Sequence, residues 1–159
     1  MKNTYILGVL AIVLIGVGIY FSSSGPVANS QGKLETSHLT YDFGQVIMNA
    51  GNVEHKFVLQ NNSSEPITVG EISTSCMCTT VFMEYDGKSD GPFGMSGHDI
   101  KRTAGITIEP GKSADLKVVF DPAAHGPSGT GFIQRNIYIN TNSIAQPQVV
   151  FEISGTVNL

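Results

Sequence analysis

The sequence predicts an all-β domain standing behind one N-terminal hydrophobic helix. Three observations carry this expectation. Beyond Lys33, apolar and polar residues alternate at the period of strands; turn-forming clusters recur about every ten residues; and Tyr5 to Phe21 is apolar without a charge. Short strands between such turns mark a sandwich or barrel rather than a bundle of helices.

Size and composition narrow the rest. A chain of 159 residues has room for one domain and a tail. It carries 9 basic and 13 acidic residues, for a formal charge of -4, and the basic ones form no run. Nucleic-acid binding requires clustered Lys and Arg to neutralise phosphates, so that class is set aside. Charged residues make up only 14%, too few for the wet faces of many helices. Trp is absent, which removes the core Trp that packs on the inter-sheet disulfide of antibody domains.

YILGVLAIVLIGVGIYF, residues 5–21, is close to the minimum of about 17 apolar residues for a spanning helix. Lys2 and the amino terminus precede it, and no charge follows before Lys33. The positive side should stay in the cytoplasm, which places all that follows on the far side of the bilayer. The run is long for a cleaved signal peptide, whose hydrophobic core spans about 7–15 residues. The expected organisation is therefore residues 1–4 cytoplasmic, 5–21 a signal-anchor helix in the lipid bilayer, 22–33 a flexible spacer, and 34–159 the β domain. The protein would be single-pass, with its domain on the periplasmic or cell-surface side.

Within the domain, VEHKFVLQ sets Val53, His55, Phe57 and Leu59 on one face and Glu54, Lys56 and Gln60 on the other. NNSSEP is a turn, and ITVGEIST follows it as a strand whose alternation fails near Gly70, the mark of a β-bulge. Glu109-Pro110-Gly111-Lys112 is a second turn, before ADLKVVF. FIQRNIYINT and QVVFEISGTV complete the strands. Between Glu84 and Gly105 no period is evident and five glycines occur. This reads as a long Gly-rich loop, of the length that is usually functional or disordered.

Several motifs, taken together, resemble a bacterial family of domains of unknown function, number 1573. They are Tyr41-Asp42-Phe43-Gly44, Val53-x-His55-x-Phe57, Ser75-Cys76-Met77-Cys78-Thr79, Glu109-Pro110-Gly111, Val118-x-Phe120-Asp121-Pro122 and Ile153-Ser154-Gly155-Thr156-Val157. The resemblance spans about Leu34 to Leu159. It departs in Met77, where the family has Gly, and in the longer stretch after the cysteines. It implies an extracytoplasmic immunoglobulin-like β-sandwich, similar to the modules shared by ASPM, SPD-2 and Hydin, and no established activity.

Chemistry concentrates at Cys76 and Cys78, the only cysteines. In an oxidising compartment paired cysteines tend to bridge. In an extended strand their α-carbons would stand about 6.6 Å apart, near the upper limit of disulfide geometry. Buried apolar thiols are another reading. The third is a soft-metal site: C-x-C offers two thiolates on one face, and Met83, Met95 and His98 follow nearby, a donor set suited to Cu(I). On a regular strand Met77, Val81 and Met83 point away from the cysteines, so a site that includes Met77 needs a turn here. His55 reads as a hydrogen-bonded core residue, His125 as an exposed turn residue, and His38 has no evident partner.

No paired carboxylates, nucleophile elbow, phosphate-cradling glycine loop or zinc-type His/Glu spacing occurs. The expectation is a membrane-anchored, extracytoplasmic interaction or scaffolding module without catalytic activity, with an envelope protein as partner. Cu(I) binding by Cys76, Cys78, Met83, Met95 and His98 is the first alternative, and thiol–disulfide exchange the second.

Overall fold

A computed structural model describes residues 29–98 and 103–159. The expected membrane segment Tyr5–Phe21 lies outside them; among the described residues no helix is long and apolar enough to cross a membrane. The strands are β1 (Leu34–Glu35), β2 (Thr40–Ile47), β3 (Val53–Asn61), β4 (Ile67–Thr74), β5 (Thr79–Tyr85), β6 (Lys88–Phe93), β7 (Thr103–Ile108), β8 (Ser113–Phe120), β9 (Gly131–Thr141) and β10 (Gln148–Asn158). They form two five-stranded sheets, ordered β1-β3-β8-β5-β6 and β2-β10-β9-β4-β7. β2 runs parallel to β10, whereas β3, β5 and β8 are joined by antiparallel ladders. This is an all-β sandwich, one of the two architectures that the alternation predicted, and it suits the immunoglobulin-like class that the family resemblance implies.

The alternation also builds the core. Phe57 and Leu59 from β3, Leu116 and Val118 from β8, and Val81 and Met83 from β5 point inward from one sheet. Ile67, Val69 and Ile72 from β4, Ile137 and Ile139 from β9, and Phe151 and Ile153 from β10 meet them from the other. Where antibody domains place a Trp, Phe57 and Phe151 pack across the sheets, ring centroids 4.6 Å apart. Burial of each such side chain contributes about 1.5–3 kcal/mol. The expected bulge at Gly70 is present, because β4 slips register against β7 between Val69 and Glu71 and against β9 between Val69 and Ile72.

Two expected segments are corrected. The stretch from Glu84 to Gly105 is not one long loop. Asp86 (φ 51°) and Gly87 (φ 72°) turn β5 directly into β6, a two-residue connection with both residues left-handed, the form that suits the twist of a hairpin. β7 then begins at Thr103. The spacer over 22–33 also ends earlier than expected. Ser30 is buried, donates its N–H to the Asn142 carbonyl at 3.1 Å and accepts from Ile144 N–H at 2.8 Å. Its hydroxyl and the Gln31 N–H both reach the Glu65 carboxylate, which the two donors hold below its usual range. Small polar residues read as spacer because their partners are far away in sequence.

The chain thus joins the sandwich beside the β9–β10 turn. The β4–β5 connection lies away from that corner, beside the middle of β9, where Ser75 N–H donates to the Asn136 carbonyl at 2.9 Å.

Candidate functional site

The four residues between β4 and β5 carry the chain from one sheet to the other. A regular strand cannot make that crossing. Residues 75–78 turn instead, with Thr79 N–H donating to the Cys76 carbonyl at 3.2 Å. Thr74 is buried beneath the turn, its hydroxyl 2.9 Å from the Cys76 carbonyl and 3.1 Å from that of Thr79. The strand parity expected for the cysteines is therefore corrected: Met77 projects into solvent, Cys78 is buried and Cys76 is half-buried.

The turn holds both sulfurs together and draws in a third donor. Cys78 N–H donates to Cys76 Sγ at 3.4 Å. The Cys78 carbonyl accepts from Asp121 N–H at 2.8 Å, which ties the loop after β8 to this turn. Within that loop the Asp121 carboxylate accepts from Ala123 N–H at 2.8 Å, and Ser128 donates its hydroxyl to the His125 carbonyl at 2.7 Å. These bonds seat His125 with Nε2 at 3.2 Å from Cys76 Sγ. The donor atoms of Cys76, Cys78 and His125 all lie within 4.8 Å of one another. Donors around a soft ion at about 2.0–2.3 Å stand a little under 4 Å apart, so a small closure completes the set.

A cation completes the group. Arg135, on β9, donates Nε–H to Cys78 Sγ at 3.3 Å, and its Nη1 donates to the Gln134 carbonyl at 2.8 Å. Burial pushes the Cys76 thiol up, but the hydrogen bonds from the Cys78 and His125 side chains, the Cys78 N–H and the Arg135 charge together lower it to about 7. Burial, and then the neighbouring Cys76 sulfur, push the Cys78 thiol up. The pair therefore holds one readily ionised sulfur in front of one reluctant one.

Of the expected ligands, Cys76 and Cys78 come together. Met83 does not join them, because it is fully buried on the inward face of β5, opposite Leu116. Met95 is half-buried and bridges Thr74 through the backbone. His98 is exposed and lies outside the sulfur–histidine cluster. His125 is exposed in its turn, as expected, yet it is the third donor of the cluster, which sequence reasoning missed, 49 residues from Cys76. His38, expected to lack a partner, has one: its Nε2 stands 3.0 Å from His55 Nε2. His55 in turn stacks on Tyr41, centroids 3.6 Å apart.

Comparison with known proteins supports the fold. The chain is similar to a protein of unknown function from Porphyromonas gingivalis W83, at 18% identity and a TM-score of 0.61, covering 83% of this chain and 50% of that one. It thus spans about half the length of that protein. It is also similar to a family 123 glycoside hydrolase from Clostridium perfringens (14% identity, TM-score 0.52, 76% of this chain and 23% of that one). A third likeness is to an ASH/PapD-like domain of human CEP192 (13% identity, TM-score 0.49, 85% and 91%). At these identities the likeness concerns the fold alone. No curated protein matches the chain. Residues 34–91 match the family described as "Protein of unknown function (DUF1573)", so the family resemblance read from the motifs is shown over that stretch, which includes both cysteines.

Proposed function

We propose that this protein is a membrane-tethered, extracytoplasmic module without catalytic activity that binds a soft metal ion, Cu(I), through Cys76, Cys78 and His125. An immunoglobulin-like fold of unknown function suits a binding or scaffolding role in general. The observation that carries the specific reading is the convergence of two thiol sulfurs and an imidazole nitrogen within 4.8 Å. Thiolate and imidazole donors favour Cu(I) over hard cations. Cys76 and His125 face solvent, so an ion has a path in, while buried Cys78 supplies the inner donor. Ser30, where the described domain begins, lies beside the β9–β10 turn and away from the sulfurs, an arrangement compatible with a tether that does not cover the site.

Anaerobic Cu(I) titration of the full chain in detergent, against a competing chelator, tests this. One ion per chain is expected, lost in Cys76→Ser/Cys78→Ser and weakened in His125→Gln. Weak binding, or binding indifferent to the double substitution, would sink the proposal.

A second reading is an interaction module for an envelope protein, in keeping with the binding or scaffolding role that the fold suits; Phe132, 71% exposed at the start of β9, is the side chain on which to test it. Recovery of one specific partner from solubilised membranes, lost on Phe132→Ser, is the result expected of it.

A further inference from the structure

We infer that Arg135 selects a monovalent over a divalent ion at Cys76, Cys78 and His125, by supplying the one positive charge that a monovalent bis-thiolate complex lacks. The inference rests on the metal-binding reading above and adds the residue that sets the charge of the ion.

Charge arithmetic carries it. When the site loads, each thiol gives its proton to water and the ion takes up both sulfur lone pairs; His125 enters as a neutral imidazole. Two thiolates and a monovalent ion leave a net single negative charge, and the guanidinium at 3.3 Å from Cys78 Sγ cancels it. Two thiolates and a divalent ion are already neutral. The same guanidinium then stands half-buried against a cluster that gives it no counter-charge, and it repels the ion's second positive charge. Helping the thiols ionise benefits both ions alike, so that effect drops out of the ratio of their affinities, and only the difference of one ionic charge remains.

Geometry keeps Arg135 in place whichever ion binds. It lies on β9 between inward-facing Ile133 and Ile137, opposite Ile153 on β10, and its Nη1 is anchored on the Gln134 carbonyl. It cannot turn fully into solvent without breaking that bond. Two unit charges about 4 Å apart at a partly wet site interact strongly enough to alter a binding ratio at least about fivefold.

The test is the Cu(I)-to-Zn(II) affinity ratio of the full chain in detergent, measured anaerobically with chelators of known affinity. It is compared with Arg135→Gln, Arg135→Leu as a second neutral replacement, and Arg135→Lys. Both neutral variants should lower the ratio at least about fivefold, and Arg135→Lys should restore most of it. If the unsubstituted chain binds neither ion, the metal-binding reading itself fails. If it binds them and the ratio is unmoved in a neutral variant that keeps its far-ultraviolet circular dichroism, the role of Arg135 is overturned while the site stands. Equal weakening of both ions, or an Arg135→Lys variant that behaves like Arg135→Gln, would likewise overturn selection by charge.

Discussion

At the cysteine end of the sandwich His125 stands 3.2 Å from a sulfur, and at the edge where β2 meets β3 His38 stands 3.0 Å from His55. The distances are alike and the surroundings are not. Around the histidine pair rings and a hydroxyl crowd the imidazoles, although His38 itself stays exposed. Ser37 Oγ meets His38 Nδ1 at 2.8 Å, the Tyr41 ring lies flat on His55 at 10°, and Phe57 meets the same imidazole edge-on, centroids 4.6 Å apart. That contact is a latch that closes the edge of the sandwich over its core. Around Cys76 the donors differ in kind, one side stays open to water, and a guanidinium waits behind them. Closeness of two nitrogens makes structure where rings cover them; closeness of sulfur and nitrogen makes a site where a charge is provided and an approach is left.

The largest test of this contrast is Phe57→Ala. Phe57 touches both members of the latch and Phe151 in the core, so urea unfolding should show a loss of about 3–5 kcal/mol. Alkylation of Cys76 in the fraction still folded should not change; if it does, the two regions are coupled and the contrast breaks.

Next comes thiol reactivity. Iodoacetamide should label Cys76 with a pH midpoint at about 7, well below an ordinary thiol at 9.0, and Cys78 more slowly at any pH. His125→Gln should move the Cys76 midpoint upward. A midpoint near that of a free thiol would remove the sulfur–histidine contact from consideration.

The smallest effect belongs to the latch. Burial, and then the charge on His38, hold His55 below its ordinary 6.5. As pH falls below 6.5 the unfolded chain takes up a proton that the folded chain resists, so stability present above that pH is lost on acidification. Urea midpoints should drop between about pH 7 and about pH 5, and His55→Gln should flatten the decline. A wild-type profile as flat as the variant's would mean that the pair is not sensed by folding.

Much of the fold was legible because burial in a sandwich repeats every second residue. Val53 to Gln60, Ile67 to Thr74 and Gln148 to Val157 show that period plainly, and even the Gly70 bulge announced itself as a break in it. β6 did not, because Lys88-Ser89-Asp90-Gly91-Pro92-Phe93 is an edge strand that buries only its last residue. Its signal was the turn before it: Asp-Gly between Tyr85 and Lys88 is a hairpin pair, overlooked among the other glycines.

The candidate site was half legible. C-x-C named two donors, while Met83 satisfied the chemistry of a ligand and was claimed by the core. His125 had no local signal. It reaches Cys76 only because Thr79 lies opposite Phe120 when β5 pairs with β8, and because Asp121 turns the chain back immediately afterwards. Register between distant strands sets that proximity, and short-range pattern does not record it.

The position of Ser30 beside Asn142 and Ser143 has a further consequence. β9 runs from that corner to Arg135, and seven residues of extended strand span about 23 Å. Salt in a physiological medium damps a charge within about 8 Å. A charge placed beside Ser30 therefore fades over nearly three such lengths before it reaches Arg135, so these two points along β9 are electrostatically independent of one another.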